Sequence, residues 1–286
     1  MLKAREEKFD ELEEKGALSR PHDIGVDLEV LSPSFLVAKR PPSNGSRLVT
    51  SFGLLANHVK NPPTPITSTD QVLKRLSSWK LLIHADICQA YHQIPLSRES
   101  MKFAGVSTPF KGTRVNTTAV MGMPGSEVAL QELTSLLFGD MRQQGHLEIV
   151  MDDCYVGGDS EEELLSRWEA FLEICSKANI RLNPKKVIIA PYSAQILGWT
   201  WHQGGLLQVD RHAANRLKSC PPPETAEGLR GWIGADKFLA PAIRNNSQYL
   251  DELQTAVGPS LTRVPGRTTF VKSSPRPKKV LTWPNS

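Results

Sequence analysis

Three aspartates stand at the ends of two short apolar runs. Asp86 closes Leu81-Leu82-Ile83-His84-Ala85-Asp86, and Asp152 and Asp153 close His146-Leu147-Glu148-Ile149-Val150-Met151-Asp152-Asp153. A carboxylate at a strand end is placed by a rigid sheet and still reaches solvent. Three of them meeting at one point would suit hard divalent cations, which take oxygen ligands. Two such ions about 3.5 to 4 Å apart can activate a 3′-hydroxyl and stabilise a leaving pyrophosphate, the chemistry of a nucleic-acid polymerase. Successive side chains on a strand point to opposite faces. One of Asp152 and Asp153 should therefore face the Asp86 strand more directly, with the other further out. An Asp-Asp pair alone is usually solvated turn chemistry, so the elements around it matter.

The run before Asp86 reads as an apolar strand, and the run around Asp152 and Asp153 as strand, turn and strand, continuing through Cys154-Tyr155-Val156-Gly157-Gly158. The carboxylate strands belong to hairpins, and strands and helices are interleaved. The expected class is therefore α+β rather than a doubly wound sheet. Residues 1–15 have a charged helical pattern that stops at Gly16. Phe35 to Lys39 and Arg47 to Phe52 flank the turn Pro41-Pro42-Ser43-Asn44-Gly45-Ser46 and predict a β-hairpin with Lys39, Arg40 and Arg47 on its rim. Asn61-Pro62-Pro63-Thr64-Pro65 breaks regular structure. A short helix over about 70–77 follows, with Thr69 as candidate N-cap. Gly122 to Gly125 is a turn, and Ser126 can cap a helix to about Phe138.

The clearest helix begins at Ser160. Ser160 and Glu163 have capping-box spacing. Leu164, Leu165, Trp168, Phe171, Leu172 and Cys175 then recur at helical period as one face. Asn183-Pro184-Lys185-Lys186 is a loop. Val187 to Ala190 and Gln195 to Trp201 read as strands, and Gln203-Gly204-Gly205 turns back into Leu206 to Val209. Pro221-Pro222-Pro223 marks a subdomain break before a helix over about 225–239.

Hydrophobic residues make up 40% and charged residues 22% of 286, a normal globular composition. No apolar run approaches the roughly 18 to 20 residues of a membrane span, and Met1 to Glu7 lacks the apolar core of a secretory signal. Cys88, Cys154, Cys175 and Cys220 form no CxxC pair, which points to free thiols, without zinc or disulfides, in an intracellular, cytoplasmic protein, with the nucleus left open. Net charge is +4. From Leu261 to Ser286 there are six Lys or Arg and no Asp or Glu. That tail reads as a Pro-rich solvated linker or as a basic arm along phosphates.

The ordered motifs resemble the reverse transcriptases of long-terminal-repeat retroelements, especially the Ty3/gypsy group. The resemblance runs from about Glu6 to Trp283. It is carried by Phe35 to Lys39, Arg47-Leu48-Val49, Asp86 through Ala90-Tyr91-His92-Gln93-Ile94-Pro95, Met121-Gly122-Met123-Pro124-Gly125-Ser126, Met151-Asp152-Asp153, Leu182-Asn183-Pro184-Lys185-Lys186 and Ile196-Leu197-Gly198-Trp199. It implies a right-hand polymerase. Residues 1–24 would be a helical arm, 25–60 and 96–120 the fingers, and 61–95 and 121–210 the palm. Residues 211–258 would be the thumb and 259–286 a basic linker toward a ribonuclease H domain.

The activity implied is RNA-directed DNA synthesis by two-metal nucleotidyl transfer, with two Mg²⁺ ions for which Mn²⁺ can substitute. Asp86 and Asp152 would ligate both ions with the backbone carbonyl of Ile87, and Asp153 would help. Lys39 and Arg47 match the residues that grip the triphosphate. Ala90, Tyr91 and Met121 match the nucleotide pocket, Tyr91 as the steric gate that excludes a 2′-hydroxyl. Lys185 and Lys186 lie where the family has a lysine that protonates pyrophosphate, and the sequence does not choose between them. Gly122 and Met151 match primer and template contacts. Leu197, Gly198 and Trp199 match the primer grip, although Trp199 and Trp201 could equally serve as packing residues. The implied partners are an RNA/DNA template–primer duplex and deoxynucleoside triphosphates, with ribonuclease H and integrase domains of a parent polyprotein.

Val150 replaces the aromatic residue usual before the Asp-Asp run, and Ser51 and Gly53 stand where Asp and Arg are usual, so an internal fingers salt bridge is expected to be absent. Met121 and Glu127 also depart from the commoner Phe or Gln, and Pro. The chain is expected to be part of a longer polyprotein. An inactive nucleic-acid-binding relic or domesticated fragment is the alternative. Tyr91 disfavours an RNA-dependent RNA polymerase, which must accept the 2′-hydroxyl.

Overall fold

The computed structural model describes residues 2–39, 45–56, 68–209, 215, 219–240 and 246–257. Arg40 of the hairpin rim, the Pro-rich break at 61–65, residues 211–214 and the basic tail lie outside the described residues. The chain divides into two compact units, one of residues 1–66 and 82–189, the other of 67–81 and 190–286.

The first unit opens with helix α1 (Leu2–Glu14), which ends before Gly16 at a φ of 71°. Its Phe9 is buried with Leu18 and Val106, and Leu48 packs against them. Polar contacts also hold α1: Glu13 pairs with Arg114 at 2.8 Å, and the Glu6 carboxylate accepts the Phe110 N–H at 3.0 Å. Strands β1 (Leu18–Ser19) and β2 (Leu31–Ser32) join a four-stranded sheet completed by β6 (Gly105–Ser107) and β7 (Thr113–Asn116), in the order β1-β7-β6-β2. The hairpin expected around residues 35–52 is β3 (Ser34–Ala38) against β4 (Ser46–Thr50), with Val37 opposite Arg47. Short helices α2 (Gly53–Ala56) and α4 (Arg98–Met101) flank a core of Val26, Phe52, Leu55, Ala104, Val115 and Met123.

The second sheet carries the carboxylates. It comprises β5 (Leu81–Asp86), β8 (Leu147–Val150), β9 (Asp153–Gly158) and β10 (Ile188–Ile189), in the order β10-β5-β9-β8. β5 is an interior strand, which explains its near-continuous apolar run: Leu82, Ile83 and Ala85 are fully buried. Helices α5 (Ser126–Gln143) and α6 (Glu161–Lys177) pack against β8 and β9 respectively. Phe138 and Phe171 stack between the helices with ring centroids 5.1 Å apart. Each such buried ring contributes about 1.5–3 kcal/mol relative to exposure.

The second unit holds α3 (Thr69–Leu76), a meander of β11 (Ser193–Ile196), β12 (Trp199–His202) and β13 (Leu206–Val209), then α7 (Ala226–Leu239) and α8 (Asn246–Val257). Leu73, Trp199, Val209 and Leu239 form its core. Trp201 is wholly buried, with Nε1 donating to the Leu76 carbonyl at 3.0 Å.

Several local expectations need correction. The N-cap of α3 is Ser68, with Thr69 already helical. Ser126 is likewise inside α5, whose cap is Gly125 at a φ of 84°, and the helix runs five residues past Phe138. Glycine at Gly125 supplies the left-handed geometry that a serine cap would not. The capping box of α6 is only half reciprocal: Ser160 Oγ accepts from Glu163 N–H, but the Glu163 carboxylate takes the Asp159 N–H. Its buried stripe is Leu164, Phe171 and Cys175, while Leu165 and Leu172 are exposed. Residues 195–201 are not one strand. Leu197 and Gly198, at φ values of 51° and 74°, turn β11 into β12. None of the described helices is long and apolar enough to cross a membrane.

Candidate active site

Asp86 is the last residue of β5 and is 5% exposed. Asp152 sits in the two-residue turn between β8 and β9, where Val150 pairs with Asp153. Met151, the first turn residue, has a φ of 59°. Asp152 is not left-handed, so the turn resembles type II′, in which glycine is favoured at the first position. Methionine there costs about 1–2 kcal/mol, and such strain gathers at functional sites. The turn is tied to β5 by its backbone: the Ile87 N–H donates to the Asp152 carbonyl at 2.8 Å. That bond makes Asp86–Ile87 and Asp152 immediate neighbours although 66 positions separate the aspartates.

The three carboxylates have different partners. Asp86 Oδ1 accepts a hydrogen bond from the Lys186 ammonium at 2.5 Å. Asp153 Oδ1 lies 2.8 Å from His84 Nε2. Burial, followed among the raising effects by the nearby Asp153 and Asp86 charges, pushes the Asp152 carboxyl above its ordinary value; a backbone hydrogen bond and Lys186 oppose this. The hydrogen bond to Asp86 in turn raises the Lys186 ammonium, which keeps its proton. Lys185 and Lys186 lie not in an irregular loop but on a 3-10 turn over Pro184–Lys186, capped by Asn183 Oδ1. Asn183 N–H donates to the Asp86 carbonyl at 2.9 Å, which registers that turn on the end of β5.

The segment after β5 is stapled in the same way. Ala90-Tyr91-His92-Gln93 forms a 3-10 turn in which Ala90 is buried. The Gln93 carboxamide donates to the Cys88 and Arg181 carbonyls and accepts the Arg181 N–H. Tyr91 is partly exposed. Burial, then the charges of Glu127 and Asp152, push its hydroxyl up, so its ring lies in the electrostatic neighbourhood of the carboxylates. Met121 and Met151 are well exposed, and Gly122 has a φ of 82°.

On the β3–β4 hairpin, the Lys39 N–H donates to the Gly45 carbonyl, continuing the ladder. Lys39 and Arg47 thus share a face as diagonal neighbours and are both exposed. Leu197, Gly198 and Trp199 belong to the second unit, where they form the β11–β12 turn and the first residue of β12. Trp199 is a core residue there. His84, Asn183 and Gln93 were assigned no role from the sequence. Gln93 and Asn183 stand inside the ordered motifs, but their partners, like that of His84, lie far off in the chain, 88, 97 and 69 positions away respectively.

Among the described residues, no three His, Cys, Asp or Glu side chains converge as a ready metal cage. The donor set nonetheless fits a hard cation. Asp86 and Asp152 supply carboxylate oxygens, and in an extended residue the Ile87 carbonyl projects to the same edge as its N–H, toward the Asp152 turn. The Lys186 ammonium is a built-in stand-in for positive charge on Asp86.

The family described as reverse transcriptase (RNA-dependent DNA polymerase) matches residues 46–201, more than half of the chain. Two structures of foamy viral protease-reverse transcriptase in complex with double-stranded DNA, one of them the dRH form, each give a TM-score of 0.71. They are 16% and 17% identical, and the matches cover 91% and 92% of this chain but 44% and 53% of theirs. The same foamy viral enzyme with an RNA/DNA hybrid gives 0.64 at 16% identity, covering 92% of this chain and 34% of that one. This chain therefore spans about half or less of these structural relatives. Comparison with curated protein sequences returned no match. At these identities the likeness establishes the fold, the expected α+β reverse transcriptase polymerase fold. The family match spans more than half of the chain, and the chain belongs to the reverse transcriptase (RNA-dependent DNA polymerase) family.

Proposed function

We propose that this chain extends a primer on an RNA or DNA template by metal-dependent nucleotidyl transfer, as the polymerase of a Ty3/gypsy-like long-terminal-repeat element. The observation that carries the reading is the bond from Ile87 N–H to the Asp152 carbonyl, which joins two strand ends bearing carboxylates. Asp86, Asp152 and the Ile87 carbonyl would hold two Mg²⁺ ions, or Mn²⁺ in their place, with Asp153 helping through its charge and not as a ligand. Those ions would supply Lewis acidity at the 3′-hydroxyl and at the leaving pyrophosphate.

The protein's part is placement and charge. Lys39 and Arg47, on one hairpin face, grip the triphosphate; the guanidinium suits paired phosphate oxygens and the ammonium acts as a point charge. Ala90, Tyr91 and Met121 line the nucleotide, with Tyr91 placed against the sugar. Lys186, freed from its hydrogen bond to Asp86 if a cation takes that place, would be the lysine to protonate the pyrophosphate. Gly122, Met151, Leu197, Gly198 and Trp199 contact primer and template. In this reading the fingers, palm and thumb follow the boundaries expected from the sequence, the duplex and deoxynucleotides are the partners, and ribonuclease H and integrase belong to the parent polyprotein.

The test is homopolymer primer extension with Mg²⁺ or Mn²⁺, beside the Asp152→Asn variant. We expect extension by the wild type and a loss of about 10³-fold or more in the variant. Salt-sensitive duplex binding with no extension in either protein would instead favour the inactive relic.

A further inference from the structure

His84 and Tyr155 take no part in the mechanism above, yet they define where Asp153 points. β5 is otherwise an apolar strand, and His84 is its only polar residue before Asp86. Side chains of His84 and Asp86 share one face of β5, and those of Asp153 and Tyr155 share one face of β9. The His84 imidazole stacks on the Tyr155 ring with centroids 5.0 Å apart and planes 18° from parallel. Its Nε2 meets Asp153 Oδ1 at 2.8 Å. An ionised carboxylate can only accept, so Nε2 carries the proton. The stack restrains the ring plane, and the hydrogen bond fixes the carboxylate. The anchoring residue lies two positions, roughly 7 Å, along the strand from Asp86.

We propose that His84, braced on Tyr155, is a positioning residue that holds Asp153 outside the cation shell of Asp86 and Asp152. The shell then has two carboxylates instead of three. Mg²⁺ in nucleotide sites is usually held by one or two carboxylates plus substrate phosphates, which lets the metal arrive and leave with substrate and product. A third carboxylate would hold the cation tightly without the nucleotide. The proposal rests on the metal reading above.

The test measures Mn²⁺ affinity by electron paramagnetic resonance of the free ion, without nucleic acid. The proteins are wild type, Asp86→Asn, Asp152→Asn, Asp153→Asn, His84→Phe, His84→Gln and the double variant His84→Phe with Asp153→Asn. Phenylalanine keeps a ring for Tyr155 but loses the hydrogen bond; glutamine keeps a donor.

We expect Asp153→Asn to weaken Mn²⁺ binding only about threefold, far less than Asp152→Asn, His84→Phe to bind about tenfold more tightly than wild type, and the double variant to match Asp153→Asn. His84→Gln should retain wild-type affinity. In the metal-free protein, long-range ¹H–¹⁵N spectra should show the Nε2–H tautomer of His84 in the wild type and its loss in Asp153→Asn. If Asp153→Asn weakens Mn²⁺ binding as much as Asp152→Asn does, or if His84→Phe leaves it unchanged, the proposal is overturned. Should His84→Phe not fold, the comparison of Asp153→Asn with Asp152→Asn and the tautomer decide the matter. If Asp86→Asn and Asp152→Asn leave Mn²⁺ affinity unchanged, the metal reading falls and takes the proposal with it, a pattern distinct from the preceding ones.

Discussion

Two adjacent lysines on one turn keep different company. Lys186 holds the Asp86 carboxylate, whereas the only bond described for Lys185 at this turn is its backbone N–H to Asn183. A general acid must lie where the leaving oxygen develops charge. Lys186→Ala should therefore lower the rate of single-nucleotide incorporation by about 10²-fold, and Lys185→Ala should leave it nearly unchanged; rapid-quench kinetics would separate them. Tyr91 supports a second prediction at this scale. If its ring closes the space beneath the sugar, Tyr91→Val will incorporate ribonucleotides, read as a fall in the ratio of kcat/KM for deoxy over ribo substrates. Unchanged discrimination would remove Tyr91 from that role. Asp86, Asp152, Tyr91 and the lysine pair stood out as candidates because their motifs are short and ordered in the chain. His84, Asn183 and Gln93 did not, because what they do depends on strands and turns that meet only after folding.

At the scale of elements, β9 and α6 approach each other at Gly158. A Cβ there would lie 2.9 Å from the backbone nitrogen of Leu164 and 3.1 Å from its Cα. Those are backbone atoms of the first turn of α6, so they cannot yield without moving the helix. Gly158→Ala should cost about 1–3 kcal/mol, measured by urea unfolding. Because α6 packs on β9, the strand that begins with Asp153, catalysis should weaken in the same variant. A change under half a kilocalorie per mole, about the scatter of surface substitutions, would show that α6 accommodates the methyl group.

The start of α6 was readable from Ser160 and Glu163, since a capping box is a local pattern. The turn at Leu197 and Gly198 was not, because Gln195 to Trp201 looks like one apolar strand until the left-handed pair reverses it. The exposed Leu165 and Leu172 make the same point about period. Helical spacing marks a face, but its neighbours decide how wide a stripe is covered.

In the molecule as a whole, Asp86, Ile87, Asp152, Asp153 and Lys186 all belong to the unit of residues 1–66 and 82–189, at the end of β5, in the turn before β9, at the start of β9 and on the turn at Pro184–Lys186. The α+β class followed from hairpins interleaved with helices, and the family from motifs in the right order. What the order could not convey is the charge arrangement: a lysine on Asp86 and a histidine on Asp153 in the protein alone. In the proposed mechanism, a cation at Asp86 takes the place of the Lys186 ammonium.

The most direct test is anomalous scattering from Mn²⁺ in crystals of the protein with a chain-terminated primer, its template and the matching deoxynucleotide. The account requires two peaks about 3.5 to 4 Å apart, ligated by Asp86 and Asp152, with Lys186 withdrawn from Asp86. Bound nucleotide with no peak at these aspartates, and Lys186 still on Asp86, would contradict it.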